Sequence, residues 1–243
     1  MQFTVLGKYG PFPQPGGATS GYLVESGETR IVCDLGSGTF SRLAGLVDID
    51  RIDAVFLSHL HFDHCADMQM LRYALENRIK RGLYQGRLIV YAPERPEENR
   101  ALLKPDVFDV RSMHHGETVT VGAISVTFLS MRHPVETFAL DMRDQDGKRL
   151  FYTGDTGWFG GLPAHVAGAD ALLADTCFLA AQDTGKGMPH LTTVQASRLA
   201  TEAGVKHLYC THVSGAGTAD SELEKEVDFT PATVVKEMGK YLV

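Results

Sequence analysis

The chain has 243 residues, 44% of them hydrophobic and 22% charged, which is typical of a globular protein with a full core. Its formal net charge of -7 argues against broad electrostatic binding of nucleic acid, but leaves room for a small anionic substrate. The sequence shows no apolar run of the ~20 residues that a membrane span needs and no signal-peptide pattern. The four cysteines form no C-x-x-C pair, which favours free thiols in a reducing compartment. We therefore expect one cytoplasmic domain over 1–243 with no membrane partner.

The N-terminal half alternates predicted strands with predicted helices. Its strands are the short, β-prone runs 3–6, 21–25, 29–34, 52–57 and 87–91, and the second and third form a hairpin around Ser26-Gly27. Its helices are 40–46, a helix that carries Met68, Leu71, Leu75 and Ile79 and stops at Gly82, and 93–103. A glycine- and proline-rich loop over 7–17 either lines a site or covers a sheet edge.

The C-terminal half is richer in predicted strands. They are 118–121, 124–129, 137–142 and 149–153 with a hairpin around Asp146-Gly147, then 171–174 and 206–210, and a closing hairpin of 232–235 with 240–243. One helix begins at a Thr192 or Thr193 cap and ends at Gly204, and a short acidic helix covers 221–227. Helices interspersed among two sets of strands predict an α/β (α+β) protein with four αββα layers.

A cluster of metal-binding side chains directly follows the strand 52–57, where residues 58–64 read SHLHFDH. Imidazole and carboxylate are the ligands that borderline divalent metals prefer. On a tight turn, His59 and His61 can face one ion while Asp63 and His64 face another. A solvated polar loop is the alternative, but four such side chains at this spacing favour a metal. Cys65 can be a further ligand, although packing is its expected role.

Four more polar residues stand at or near the ends of later predicted strands: His133, Asp155, His190 and His212. Strand ends at one edge of a sheet converge, and that edge is a common place for a site. A carboxylate can bridge two ions about 3.5–4 Å apart, which suits Asp155 between its glycines. The sequence therefore predicts two ligand sets that share Asp155. The first is His59, His61, His133 and Asp155, and the second is Asp63, His64, Asp155 and His212.

This order of motifs resembles the metallo-β-lactamase superfamily over nearly the whole chain. The matching parts are H-x-H-x-D-H at 59–64, the lone His133, Gly154-Asp155, the late His212, and an early Asp34-x-Gly36. The resemblance implies the αββα sandwich and a centre of two divalent ions with a bridging hydroxide. Zinc is the usual metal, and manganese or iron also occurs. Asp34 can orient a ligand histidine or cap its own turn, and both roles remain open.

The segment around His190 is similar to the ribonuclease Z and cyclic-phosphate phosphodiesterase branch of the superfamily. There the matching histidine donates a proton to the leaving oxygen and pairs with an acidic residue, which corresponds to Asp175. Only residues 156–189 lie between Asp155 and His190, too few for the long basic arm that grips tRNA in that family. Gly215-Ala216-Gly217 also stands where the family has an Arg-Tyr pair. The resemblance thus implies a small phosphodiester rather than tRNA as partner, and a homodimer as a family trait.

The predicted function is hydrolysis of a small phosphodiester or cyclic phosphate through the metal-bridging hydroxide. Asp63 orients or deprotonates the water, and His190, positioned by Asp175, protonates the leaving oxygen. One alternative is a metal-dependent lactone, thioester or β-lactam hydrolase, and another is a non-enzymatic metal-bound sensor or scaffold. Trp158 either stacks on a substrate ring or packs in the protein. Arg132 and Lys186 can help to hold a phosphate.

Overall fold

Two sheets packed face to face, each covered by helices on its outer side, make up the computed structural model, which describes residues 1–185 and 187–243. In these residues the strands are β1 (Gln2–Gly7), β2 (Tyr9–Gly10), β3 (Gly21–Ser26), β4 (Thr29–Leu35), β5 (Ala54–Phe56), β6 (Leu88–Ala92), β7 (Phe108–Ser112), β8 (Thr118–Val121), β9 (Ile124–Ser130), β10 (Phe138–Asp144), β11 (Arg149–Tyr152), β12 (Ala171–Asp175), β13 (His207–Thr211), β14 (Val213–Ser214), β15 (Ala232–Val234) and β16 (Lys240–Leu242). The α-helices are α1 (Thr39–Leu46), α2 (Phe62–Cys65), α3 (Met68–Lys80), α4 (Glu97–Arg100), α5 (Leu162–Val166), α6 (Thr193–Ala203) and α7 (Asp220–Glu226), with short 3₁₀ helices at Ile49–Arg51 and Ala180–Gln182.

The first sheet has the order β16-β1-β3-β4-β5-β6-β7, and the second has the order β15-β13-β12-β11-β10-β9-β8. A small third sheet pairs β14 with β2 in parallel. The strand set β4 to β7 is parallel in the first sheet, as are β11, β12, β13 and β15 in the second. The predicted αββα sandwich is therefore confirmed.

Apolar residues alternate along the strands because each strand packs on two cores. In β5, Phe56 faces the core between the sheets, whereas Val55 faces the core under α1 and α3. In β12, Leu173 faces the core between the sheets, and Leu172 faces the core under α5 and α6. Burial on both faces explains why these strands read as continuous apolar runs in the sequence.

The topology brings the predicted site residues to one edge of the sandwich. The strands β9, β11, β12 and β13 run in the same direction, so the residues that follow their carboxyl ends lie at the same side of the second sheet. His133, Asp155, Asp175 and His212 occupy these ends. Because β4 and β5 are also parallel, Asp34 and the 58–64 cluster end the facing strands of the first sheet.

Most of the predicted local elements are present, including the hairpins β3–β4 and β10–β11 and the helix α3. The cap of α6 is also as predicted: the Thr192 hydroxyl accepts a bond from the Gln195 amide, and Gly204 ends the helix in the left-handed region. The predicted helix over 93–103 is wrong in extent, since only Glu97–Arg100 is helical. Within this short helix, the side chains of Asn99 and Arg100 donate hydrogen bonds to the carbonyls of Leu60, Ala92 and Pro93.

The predicted closing hairpin is wrong, because its two strands belong to different sheets. The strand β15 pairs with β13 in the second sheet, whereas β16 pairs with β1 in the first. The segment between them crosses the end of the sandwich, where the Val5 amide donates to the Gly239 carbonyl at 3.0 Å. Each of the two strands pairs at the edge of a different sheet. The local sequence does not indicate which sheet each strand joins. The strands β2, β7 and β14 were not predicted.

None of the helices in the described ranges combines the length and apolar character that crossing a membrane requires.

Arg149 and Asp141 form an ion pair that is only 7% and 8% exposed. The Nε and Nη2 atoms of Arg149 donate to the two Asp141 oxygens at 2.6 and 3.1 Å, and the guanidinium also donates to the carbonyls of His165 and Ala167 at the end of α5. Arg149→Met leaves a buried carboxylate without its main partner. Since the exposed Arg143 lies 3.8 Å away and can compensate in part, we expect a loss of about 3 kcal/mol in the free energy of unfolding.

Urea unfolding of the purified protein measures this loss. Arg95→Met is the matched control, because it removes an exposed pair with Glu97 and should cost less than about 1 kcal/mol. A double variant, Arg149→Met with Asp141→Leu, should recover much of the loss because no charge then remains unpaired. Equal losses in Arg149→Met and Arg95→Met would contradict this assignment.

Candidate metal centre

The first predicted ligand set converges on one point at the edge of the sandwich. The Nδ1 atom of His61 lies 3.0 Å from Nε2 of His59 and 3.2 Å from Nε2 of His133. Oδ2 of Asp155 lies 3.5 Å from the same nitrogen of His59 and 3.8 Å from that of His133. Three imidazole nitrogens that face each other cannot all be satisfied by the protons of neutral rings, so the arrangement suits a shared cation.

The second predicted set converges beside the first on the other oxygen of the same carboxylate. Oδ1 of Asp155 lies 3.2 Å from Nε2 of His64 and 3.3 Å from Nε2 of His212. Oδ2 of Asp63 lies 3.3 Å from His212 and 3.6 Å from His64. Asp155 therefore has one oxygen directed at each set, as a bridging carboxylate requires.

The spacing of these atoms fits divalent metals. An ion bound at about 2.0–2.1 Å keeps tetrahedral ligand atoms roughly 3.3 Å apart. The distances between the candidate ligand atoms of each set lie on both sides of this value. Nε2 of His64 and Oδ1 of Asp155 are buried and have no hydrogen-bond partner. Buried polar atoms are rarely left so. The residues present thus fit a pair of metal ions, while their individual roles as ligands remain predictions.

Asp34 orients the second set from behind. Its Oδ2 accepts hydrogen bonds from Nδ1 of His64 at 2.8 Å, from the Tyr152 hydroxyl at 2.6 Å and from the Ser58 hydroxyl at 2.8 Å, and its Oδ1 accepts from the Ser58 amide at 2.7 Å. This fixes the ring of His64 with Nε2 toward the centre. Of the two roles left open by the sequence, the structure supports the orientation of a ligand histidine.

Burial and neighbouring charges divide the histidines into two groups. Burial lowers the pKa of His59, His61 and His133, so these rings are neutral near neutrality and their lone pairs are free for a metal. Burial also acts to lower the pKa of His64 and His212, but Asp155 and the other facing carboxylates raise both pKa values well above the ordinary range. Without a metal, His64 and His212 of the second set are therefore protonated near neutrality.

A wall of backbone covers His212. The strand β2 pairs with β14, which follows His212 directly, and a Cβ built on Gly10 would lie only 2.0 Å from Nε2 of His212. The φ of Gly10 is outside the left-handed region, so glycine is needed here for space alone. Glycines and prolines are the only features of the loop 7–17 that can be recognised from the sequence. No local pattern shows that Gly10 touches His212, which lies 202 positions later.

His190 and Asp175 lie beside the two sets and bond to each other. Nδ1 of His190 is 2.9 Å from Oδ2 of Asp175 and 3.8 Å from Oδ2 of Asp155. The Thr156 and Cys177 amides also donate to Asp175. Burial acts to raise the pKa of Asp175, but His190 lowers it, so the carboxylate is charged. The imidazole of His190 stacks on that of His212 with centroids 4.9 Å apart.

The other candidates have plainer positions. Cys65 packs in the core under α3, as expected. Trp158 is half-buried and packs on the core under α5 and α6. The Arg198 guanidinium lies over its ring, 4.4 Å from the ring centre. Arg132 is exposed and donates to the Trp158 carbonyl. Lys186 lies outside the described residues.

Comparison with known proteins decides the family. Residues 13–213 match the family model described as a β-lactamase superfamily domain. The chain belongs to this superfamily. A probable metallo-hydrolase of Bacillus subtilis, YhfI, is 35% identical over 93% of this chain and 92% of its own length. The crystal structure of YhfI superposes with a TM-score of 0.92 at 31% identity, covering 99% of this chain and 98% of that one.

More distant members share the same superfamily fold. Ribonuclease Z of Methanopyrus kandleri is 27% identical over 96% of this chain and 94% of its own. A diphosphatase of the PhnP family superposes with a TM-score of 0.77 at 18% identity over 100% of this chain and 97% of that one, which shows a common fold only. The predictions of superfamily, fold and metal-dependent hydrolase class are confirmed.

Replacement of Gly10 should disturb the second ligand set without touching a ligand. In Gly10→Ala the new methyl group overlaps the His212 ring, so the ring must move away from Asp63 and Asp155. We expect the variant to bind less metal than the wild type, measured by elemental analysis after loading with zinc and desalting.

Gly45→Ala is the matched control, because a Cβ at Gly45 meets nothing within 4 Å. It should bind as much metal as the wild type. Circular dichroism establishes that both variants are folded. Full metal content in folded Gly10→Ala would show that His212 is not held by this contact.

Metal binding to the two sets should differ in proton release. His64 and His212 have raised pKa values and are protonated below them, so a metal must displace their protons, and affinity falls as pH falls. The first set has lowered pKa values, so its histidines already lack protons near neutrality. Calorimetric titration of the chelator-treated protein in two buffers of different ionisation enthalpy measures the protons released.

We expect the wild type to release more protons per ion than His212→Ala, in which only the first set is intact. The same release per ion in both proteins would refute the assignment of protonated histidines to the second set.

Proposed function

We propose that the chain is a phosphodiesterase that hydrolyses a small phosphodiester or cyclic phosphate with two divalent ions, zinc being the metal that the histidine-rich ligands favour. The observation that carries this proposal is His190. Its Nδ1 bonds to Asp175 at 2.9 Å, and its ring stacks on that of His212 and meets that of His133 edge to face, with centroids 4.9 and 5.2 Å away. An imidazole so placed borders both ligand sets and is free to act on the substrate.

Ions bound by the two sets would polarise the phosphate and make a water more acidic. Asp63 is the acceptor for the proton of the attacking water. Burial acts to raise its pKa, but His64 and His212 lower it, so the carboxylate is ionised near neutrality. As the bond from phosphorus to the leaving oxygen breaks, that oxygen needs a proton.

His190 supplies this proton from Nε2. The charged Asp175 accepts a hydrogen bond from Nδ1 of His190, which leaves Nε2 as the nitrogen that can carry the transferred proton. An alkoxide is a poor leaving group and gains most from such an acid, whereas the tetrahedral intermediate of an ester, thioester or lactam needs an oxyanion donor first. This difference favours phosphodiesters over the acyl substrates.

A small substrate is favoured over tRNA. The described residues between Asp155 and His190 form α5, β12 and a short 3₁₀ helix, with no long basic arm among them. The net charge of -7 also disfavours a polyanionic partner.

Replacement of His190 tests the proposal through the leaving group. In His190→Ala, we expect kcat for a phosphodiester with an alkoxide leaving group to fall by about 10²–10⁴-fold. In a 4-nitrophenyl ester of the same phosphate, the 4-nitrophenolate group leaves without needing a proton. The kcat for this substrate should therefore fall far less. Both rates are measured on zinc-loaded protein.

His115→Ala is the control, since His115 is exposed and, among the described residues, its side chain hydrogen-bonds only with the Ser130 amide. It should leave both rates unchanged. Equal losses for the two leaving groups in His190→Ala would remove the acid role. If no phosphodiester is hydrolysed while a lactone or thioester is, the proposed function is wrong.

A further inference from the structure

The backbone of His212 has an unusual conformation for a residue that carries a side chain. Its φ is 53°, and in the described ranges only Asp34 and Met238 share a positive φ among the non-glycine residues. A Cβ is unfavourable in this region, so a residue other than glycine stays there only where surrounding contacts hold the backbone. The position of the His212 ring therefore depends on how the residues before and after it are held.

The residue before His212 is anchored in the second sheet. Thr211 ends β13, and its carbonyl accepts hydrogen bonds from the amide and the hydroxyl of Thr176 at 2.9 and 2.8 Å. Both threonines are fully buried. The chain therefore enters His212 from a fixed point of the sheet.

The residues after His212 are anchored on β2. The Val213 amide donates to the Lys8 carbonyl at 2.8 Å, and the Gly215 amide donates to the Gly10 carbonyl at 3.2 Å. Gly10 also lies against the His212 ring. On this side, the backbone of His212 is therefore held only as firmly as Lys8 itself.

A buried ion pair fixes Lys8. Its side chain is 3% exposed, and its Nζ lies 2.6 and 2.7 Å from the two carboxylate oxygens of Asp220, whose side chain is 39% exposed. A buried ammonium that loses its partner is strongly unfavourable, whereas water can solvate a partly exposed carboxylate. Lys8 therefore depends on Asp220 more than Asp220 depends on Lys8.

Asp220 belongs to a helix that is anchored independently of the candidate centre. It is the first residue of α7. Leu223 of this helix is fully buried in the core under α5 and α6, and the Glu226 carboxylate accepts a hydrogen bond from the Ala180 amide at 2.9 Å. Packing on the outer side of the second sheet therefore sets the position of Asp220.

We propose that Asp220 is a positioning residue for the second ligand set, acting through Lys8 on the backbone of His212. This inference rests on the two-ion part of the proposed function and is independent of the substrate. Without the charge of Asp220, the Lys8 ammonium has to reach water, and the Lys8 carbonyl then moves away from the Val213 amide. His212 loses the contact that holds its backbone, and its ring no longer points steadily at the second set.

The rest of the loop 7–17 keeps contacts of its own. Arg42 of α1 donates to the carbonyls of Leu6 and Gly16, one on each side of β2, at 2.7 and 2.8 Å. Loss of the Asp220 charge should therefore displace β2 from β14 without unfolding the loop.

The zinc affinity of each ligand set tests this role without any turnover. Chelator-treated protein is titrated with zinc in competition with a chromophoric chelator, and the second-set ion is the one that is lost in His212→Ala. In Asp220→Asn, we expect this ion to bind about 10–100-fold more weakly, as when a group that orients a metal ligand is removed. The first-set ion should bind as in the wild type. Glu224→Gln removes the same charge from an exposed position of the same helix, and it should change neither affinity.

Two double variants separate a positioning role from a general loss of structure. Lys8→Met added to Asp220→Asn removes the unpaired ammonium and should restore much of the second-set affinity. Asp220→Asn added to His212→Ala should cause no further loss of zinc affinity, because the residue through which it acts is already absent. Circular dichroism establishes that the variants are folded.

The outcomes also separate this role from the proposed function. Wild-type affinities in Asp220→Asn, equal losses at both sets, or no recovery on adding Lys8→Met would overturn the positioning role, as would a wild type that binds a single ion. If the affinities change as expected but no phosphodiester is hydrolysed, the positioning role stands and the proposed function fails. If phosphodiesters are hydrolysed while Asp220→Asn binds both ions normally, the function stands and the positioning role fails.

Discussion

The carboxylate of Asp155 is the group around which the structure is arranged. It is 2% exposed, and imidazoles of His59, His64, His133, His190 and His212 lie within 3.8 Å of its oxygens. Burial acts to raise its pKa, yet His212, His64 and His59 hold the pKa well below the ordinary range. A buried charge of this kind is tolerated only when it is fully paired, so every strand end at this edge must be directed at the same point.

The same edge also joins the two sheets through hydrogen bonds. Tyr152 of the second sheet donates to Asp34 of the first at 2.6 Å, and the hydroxyls of Tyr22 and Thr211 bond across the sandwich at 2.7 Å. The rings of Tyr22 and Tyr152 belong to the core between the sheets. Packing of the core therefore sets the position of Asp34 and, through it, the ring of His64. Stability and site geometry depend on the same residues.

In the proposed mechanism, the hydrogen-bond partner of each imidazole distinguishes the histidine that would hold a metal from the one that would transfer a proton. His64 is held by Asp34 and turns its other nitrogen to the second set, whereas His190 is held by Asp175 and borders both sets from outside. Each carboxylate fixes one nitrogen of its histidine and so determines what the other nitrogen can do. Identical side chains thereby acquire different tasks within one buried cluster.

The residues that surround the candidate centre come from distant parts of the chain. Gly10 belongs to β2, Phe62 to α2, and Phe178 to the segment after β12. The loop 7–17, which contains β2, is fixed by contacts with α1, α7 and the C-terminal segment.

The sequence by itself determined most strands, most helices and the identity of the candidate ligands. Four ligands lie within 59–64, where spacing alone is informative, and the others follow strands whose apolar runs are easily recognised. The order of these motifs also indicated the superfamily, because each motif is local in sequence. The predicted helix over 93–103 is too long, because the amides of Leu102 and Leu103 bond to carbonyls three residues earlier and the chain turns after Arg100.

Only the tertiary structure decided the rest. Three features depend on contacts between residues far apart in the chain. They are the pairing of β15 and β16 with different sheets, the contact of Gly10 with His212, and the role of Asp34 in orienting His64. Local periodicity reports which face of a strand is buried, but not which strand or ring lies against that face. That partner is fixed only when the two sheets close on each other around Asp155.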